Sequence, residues 1–143
     1  MPDPRLIYLL DDDADYRFLV QQVFTIFLPE CRVRFFPDGA AFIASIESAH
    51  SQSEIFPRVI VLDIDMPELN GFQTLERLKH IACWQNIPVV MMTNRDHDES
   101  RWESFRLGAN CYVLKPMSLL DIKSVMTSLC EHEGDFTTLF AGN

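Results

Sequence analysis

The sequence predicts an α/β protein in which a parallel sheet is covered by helices on both faces, a doubly wound arrangement. Three observations predict it. Five short apolar runs rich in β-forming residues recur along the 143 residues. The stretches between them repeat their apolar residues at the three-and-four spacing of one helix face. Strand and helix alternate throughout, so the order is (βα)₅ and each strand is joined to the next by a helical crossover, as a parallel sheet requires.

The first run is LIYLL, residues 6–10, and a helix follows it in which Tyr16, Leu19, Val20, Val23, Phe24 and Phe27 share a face. Pro29 ends that helix. The second strand is RVRFF (32–36), followed after Asp38-Gly39 by a helix carrying Phe42, Ile43 and Ile46. The third is RVIVL (58–62), with a helix starting near Asn70-Gly71 and carrying Phe72, Leu75, Leu78 and Ile81. The fourth, IPVVMM (87–92), leads to a helix over 96–107. The fifth, CYVL (111–114), leads to a helix capped by Ser118, with Ile122, Val125, Met126 and Leu129 facing inward. Residues 47–58 are polar and read as a long loop or helix extension, and 131–143 as a tail.

Composition narrows the function classes. Lys and Arg number 12 against 21 Asp and Glu, a formal charge of −9, and no basic run offers a footprint for a phosphate backbone, which argues against nucleic acid. The start MPDPR lacks the layout of a signal peptide, and no apolar run approaches the roughly 18 residues of a membrane span, so a soluble cytoplasmic protein is expected. Cys31, Cys83, Cys111 and Cys130 have no CxxC spacing and the histidines no HxxxH pairing, so the thiols read as buried or idle, not as zinc ligands.

In a parallel α/β sheet ligands bind outside the carboxyl ends of the strands. There the chain places Asp11, Asp12 and Asp13, then Asp63 and Asp65, then Thr93-Asn94, then Lys115-Pro116. Four carboxylates within YLLDDDADY repel one another unless a cation or proton relieves them. Asp13 suits the N-cap of the first helix and Asp15 its first turn. Asp11, Asp12 and Asp63 remain as an all-oxygen set of the kind Mg²⁺ (or Mn²⁺) prefers, with Lys115 left for an anion.

These residues resemble the receiver domain of two-component response regulators over residues 5–131. The resemblance rests on LLDDD, on VIVLDIDMPELNG as D-x-x-M-P-x-x-x-G, on VVMMTN and on YVLKP. It implies a flavodoxin-like three-layer sandwich with sheet order 2-1-3-4-5, a Mg²⁺ site and an aspartate phosphorylated by a sensor histidine kinase or phosphotransfer protein. Asp63 would be the phosphoacceptor, Asp12 a direct metal ligand and Asp11 a partly water-mediated one. The main-chain carbonyl of Asp65 would complete the protein ligands. Thr93 would bond the phosphoryl group, Lys115 would pair with Asp63 or its phosphate, and Tyr112 would change rotamer with the signal.

The domain would catalyse only its own phosphorylation and dephosphorylation, and so is not an enzyme in the ordinary sense. With no output domain expected beyond the 132–143 tail, the signal would leave by contact with a downstream protein. The polar 47–58 segment and the single-domain length resemble regulators paired with phytochrome-type kinases. The family further implies a cis Lys115–Pro116 bond and a homodimer face built from the fourth helix, fifth strand and fifth helix, extended by Phe136, Leu139 and Phe140 of the tail. Asn94 stands where a small residue is usual, while Asp65 and Arg95 flank the water route, tune phosphate lifetime and are placed to form an ion pair. Two rival readings exist: a haloacid-dehalogenase-like Mg²⁺-dependent phosphatase using Asp63 and Asp65 of LDIDMP, and a flavodoxin-like binding module. The first wants its D-x-D after the first strand, not the third, and the second wants a Gly/Ser/Thr-rich phosphate loop there.

Overall fold

The computed structural model describes residues 2–47 and 55–140. A five-stranded parallel sheet of order β2-β1-β3-β4-β5 forms its centre. The strands are β1 (Pro2–Leu10), β2 (Arg32–Phe36), β3 (Phe56–Asp63), β4 (Val89–Thr93) and β5 (Cys111–Leu114), and the helices are α1 (Ala14–Phe27), α2 (Gly39–Glu47), α3 (Gly71–Leu78), α4 (Asp98–Arg106) and α5 (Leu119–Glu131). Each strand and helix overlaps the segment that the apolar patterning assigns to it, although β1 and β3 start earlier, at Pro2 and Phe56, and α3 ends at Leu78, before Ile81. Most of the 47–58 segment lies outside the described residues.

Side chains alternate across a strand, and that alternation divides the core in two. Tyr8, Leu10, Ile60, Leu62, Val89 and Met91 face α2 and α3, where they pack with Phe42, Leu75, Leu78 and Trp84. Ile7, Leu9, Val59, Val61, Val90 and Met92 face α1 and α5, where they pack with Tyr16, Val20, Ile122 and Met126. Trp84 is 1% exposed and stacks edge-on against Phe42 and Phe56, so it is a core residue of the first layer.

The helix starts follow local chemistry. Asp13 caps α1 by accepting from the amides of Asp15 and Tyr16, as expected, and Asp15 stays exposed in the first turn. Asn70 and Gln73 cap α3 reciprocally. Ser118 caps α5 by accepting from Asp121.

The tail differs from expectation. Phe136 is buried in a single 3₁₀ turn, Phe136–Thr138, and Leu139 and Phe140 pack against the α1/α5 side of the core. The Cys111 thiol donates to the Phe136 carbonyl, and Arg58 donates to the carbonyls of Cys130 and His132 at the end of α5. Phe136 is buried and Leu139 and Phe140 are half-buried, so the three apolar residues of the tail pack onto the domain. The exposed apolar residues of the α4–β5–α5 side are Trp102, Phe105, Leu114, Met117, Leu119 and Leu120.

Candidate functional site

Parallel pairing in register brings the ends of β1, β3, β4 and β5 to one edge of the sheet. Leu10 pairs with Leu62, Asp63 with Met92, and Thr93 with Leu114, so the next residues of each strand share a crevice. Asp11, Asp12 and Asp63 each offer a carboxylate oxygen, and these oxygens lie within 4.8 Å of one another. Asp11 is fully buried, Asp63 is 2% exposed and Asp12 is open to solvent.

The Lys115 ammonium enters the same crevice, 2.8 Å from Asp11 Oδ2 and 3.6 Å from Asp63 Oδ2. Asp11 Oδ1 accepts from the Asp13 amide at 2.9 Å. Its other oxygen, Oδ2, is buried with the Lys115 ammonium as its contact. Asp63 Oδ1 accepts from the Asp65 amide at 3.0 Å.

Burial pushes the Asp63 carboxyl up to about 6, with the Asp11 charge adding to it and Lys115 and the Asp65 amide opposing it. Burial by itself would lower the Lys115 ammonium, yet its bond and charge contact with Asp11, helped by Asp63, hold it above the usual range. The crevice therefore gathers more negative charge than the Lys115 ammonium relieves. Two oxygens on opposite sides of a Mg²⁺ are about 4.2 Å apart. Three carboxylates, two of them buried, whose oxygens lie within 4.8 Å of one another are a donor set that fits a hard divalent cation.

Thr93 is 3% exposed and its hydroxyl donates to the Arg95 carbonyl at 3.1 Å while accepting from the Arg95 amide at 3.2 Å. Asp65 Oδ2 is 3.4 Å from that hydroxyl. Among the described residues Asp65 and Arg95 do not form the expected ion pair; Asp65 turns to Thr93, and Arg95 engages it through its backbone. Tyr112 is 4% exposed, with its ring under the Arg101 guanidinium at 4.7 Å and its hydroxyl 3.5 Å from the Arg95 carbonyl, so the ring is already turned inward.

The loop after β3 needs its glycine. A Cβ on Gly71 would stand 2.5 Å from the Asp63 carbonyl oxygen and 2.6 Å from Ile64 Cα. That close approach is closed by the Gly71 amide donating to the Ile64 carbonyl at 2.9 Å, and Glu68 takes a positive φ of 63° within the turn.

The Lys115–Pro116 peptide is trans, contrary to expectation. The Lys115 amide donates to the Thr93 carbonyl at 2.6 Å and the Tyr16 hydroxyl donates to the Pro116 carbonyl at 2.8 Å. Held at both points, the trans turn aims the ammonium at Asp11. The residues that the sequence reading missed are thus Tyr16, counted only as part of an apolar helix face, and Arg17, whose Nη1 donates to the Asp11 carbonyl at 2.7 Å. A buried tyrosine hydroxyl needs a partner, which was the one available signal.

The chain belongs to the response regulator receiver domain family, whose model matches residues 7–127. Over 130 residues it is 25% identical to the probable methanogenesis regulatory protein FilR2 of Methanothrix harundinacea, covering 91% of this chain and 84% of that one. It is 28% identical over 120 residues to the response regulator Rcp1 of Synechocystis sp., covering 83% and 82%. The solved structure of the Mn²⁺-bound form of Rcp1 superposes with a TM-score of 0.77 at 23% identity over 92% of this chain and 99% of that one, a likeness of fold.

Proposed function

We propose that this chain is a phosphoacceptor switch, one receiver domain over residues 5–131 with its tail docked on it, that takes a phosphoryl group from a sensor histidine kinase or phosphotransfer protein onto Asp63. The observation that carries the reading is the setting of Asp63, buried beside the carboxylates of Asp11 and Asp12 and the Lys115 ammonium. Phosphoryl transfer asks little of a carboxylate beyond in-line position and charge neutralisation on the transferred oxygens.

Each residue has a role in that reaction. Asp63, ionised above about pH 6, presents an oxygen that forms the bond to phosphorus as the donor's bond breaks. Asp11, Asp12, Asp63 and the Asp65 carbonyl would hold Mg²⁺, and a Mn²⁺-bound relative supports a divalent cation here. Bound there, the cation would supply positive charge to the phosphoryl oxygens. Lys115 supplies the second positive charge. Thr93 exchanges its Arg95 partners for a phosphoryl oxygen, and Tyr112 and Arg101, stacked beside it, form the element whose two arrangements the phosphate biases. Asp65 and Arg95, both exposed at the mouth, regulate water access and hence lifetime. Output is by contact with a downstream protein or a second copy, and the exposed apolar α4–β5–α5 side is the surface available for it.

Membership of the receiver family favours this reading over the phosphatase and flavodoxin-like binding alternatives. The test is incubation with Mg²⁺ and acetyl phosphate followed by intact mass. One base-labile phosphate, absent from Asp63→Asn, is expected; stoichiometric labelling of that variant, or turnover of free phosphomonoesters, would overturn the reading.

A further inference from the structure

Lys115 is held by two carboxylates that the phosphoacceptor reading commits elsewhere: Asp11 to a cation and Asp63 to the phosphoryl group. A third contact is committed to neither. The Tyr16 ring face lies under the ammonium, 4.2 Å from it to the centroid, and the Tyr16 hydroxyl holds the carbonyl of the very next residue, Pro116. Tyr16 is 2% exposed and sits on α1 a hundred residues away in sequence, so one rigid side chain spans from the first helix to the turn after β5.

We propose that Tyr16 is a positioning residue for Lys115, its ring cradling the ammonium and its hydroxyl fixing the turn that carries it. The proposal rests on the phosphoacceptor reading for the reaction it serves. A cation over a desolvated ring is attracted without a formal countercharge. Such a partner competes neither for Mg²⁺ nor for the phosphoryl oxygens, so it keeps the ammonium in the crevice while the carboxylates change partners. The hydroxyl acts on the backbone: without it the buried Pro116 carbonyl loses its 2.8 Å donor and the turn loosens. Burial and the charges of Asp11 and Asp63 hold the phenol well above its usual range, so it stays a donor throughout the working pH.

The test compares wild type with Tyr16→Phe, Tyr16→Leu, Lys115→Ala and the Tyr16→Leu/Lys115→Ala double variant. In the metal-free protein, NMR of the Lys115 side chain should show ring-shifted ε-methylene protons in wild type and Tyr16→Phe, returning to ordinary positions in Tyr16→Leu. Labelling from acetyl phosphate with Mg²⁺ should slow about 3-fold in Tyr16→Phe and about 10-fold in Tyr16→Leu, with Mg²⁺ affinity within about 2-fold of wild type. In the Lys115→Ala background, Tyr16→Leu should cost almost nothing further, because its effect runs through the ammonium.

A full additional loss in that background would make Tyr16 a packing residue only and overturn the inference. So would Lys115 resonances that Tyr16→Leu leaves in place. If wild type itself is not labelled, the phosphoacceptor reading falls, and the resonances alone decide whether Tyr16 positions Lys115.

Discussion

Replacing Asp63 with Asn should stabilise the metal-free protein, and the gain should depend on pH. Asp63 is 2% exposed and its carboxyl is raised from 3.8 to about 6, because burial and the neighbouring Asp11 charge outweigh Lys115 and the Asp65 amide. Below pH 3.8 the folded and unfolded chains both hold the proton, so the group costs nothing there. Between that value and about 6 the folded chain binds more protons than the unfolded one, so stability falls as pH rises; above about 6 the loss is complete. At about 1.4 kcal/mol per pKa unit the cost of ionising Asp63 reaches about 3 kcal/mol.

The amide is neutral and keeps an oxygen to accept from the Asp65 amide, so Asp63→Asn should avoid that cost. For a domain of this size the gain corresponds to roughly 10 °C in Tm. Thermal melts of both proteins in EDTA, followed by circular dichroism from pH 4 to pH 8, measure it. The difference should be small at pH 4 and fully developed by pH 7. Saturating Mg²⁺ should then raise the wild type more than the variant, because the cation binds only the folded state and Asp63 is one of its ligands. A variant that melts no higher than wild type at pH 8 in EDTA, or a difference of the same size at pH 4, would refute the reasoning.

Removing the ammonium works in the opposite direction: Lys115→Met leaves Asp11 and Asp63 buried without their cation and should cost about 3–5 kcal/mol in EDTA by urea denaturation, much of it restored by Mg²⁺. Asp12→Ala should weaken Mg²⁺ binding at least about tenfold in a metal titration, whereas Asp15→Ala, on the solvated start of α1, should leave it unchanged. Gly71→Ala should destabilise by more than about 2 kcal/mol, since a Cβ there meets the Asp63 carbonyl oxygen at 2.5 Å; a neutral result in urea denaturation would mean the loop yields easily. Acrylamide should quench Trp102, 65% exposed with Arg106 over its ring, and spare Trp84 in the core, and beryllofluoride with Mg²⁺ should change only the Trp102 signal, a change that Thr93→Ala suppresses. Equal quenching of the two indoles, or an undiminished response in Thr93→Ala, would count against this account of the switch.

The elements were legible in the sequence because each carries its own period. Runs such as VIVL and VVMM must be strands buried on both faces, and Val20, Val23 and Phe24 must share a helix face, whatever surrounds them. The candidate site residues were legible for a related reason: ligands of a parallel sheet sit at strand ends, so the residues after each apolar run could be read as neighbours before any contact was seen. Local caps such as Asp13 and Ser118 likewise depend only on residues two or three positions away.

What the sequence left undetermined depends on groups far apart in the chain. The trans Lys115–Pro116 turn is held by Thr93 on β4 and Tyr16 on α1, neither of which the local YVLKP motif can reveal. The partner of Asp65 is Thr93 and not Arg95, a choice made by how two loops meet. The tail, polar enough to read as an appendage, is drawn in because packing leaves room for Phe136 beside Arg58 and Cys111. Periodicity assigns a residue to a face, but only the packed tertiary structure decides what that face touches, because the free energy of a contact belongs to both partners and the pattern records one.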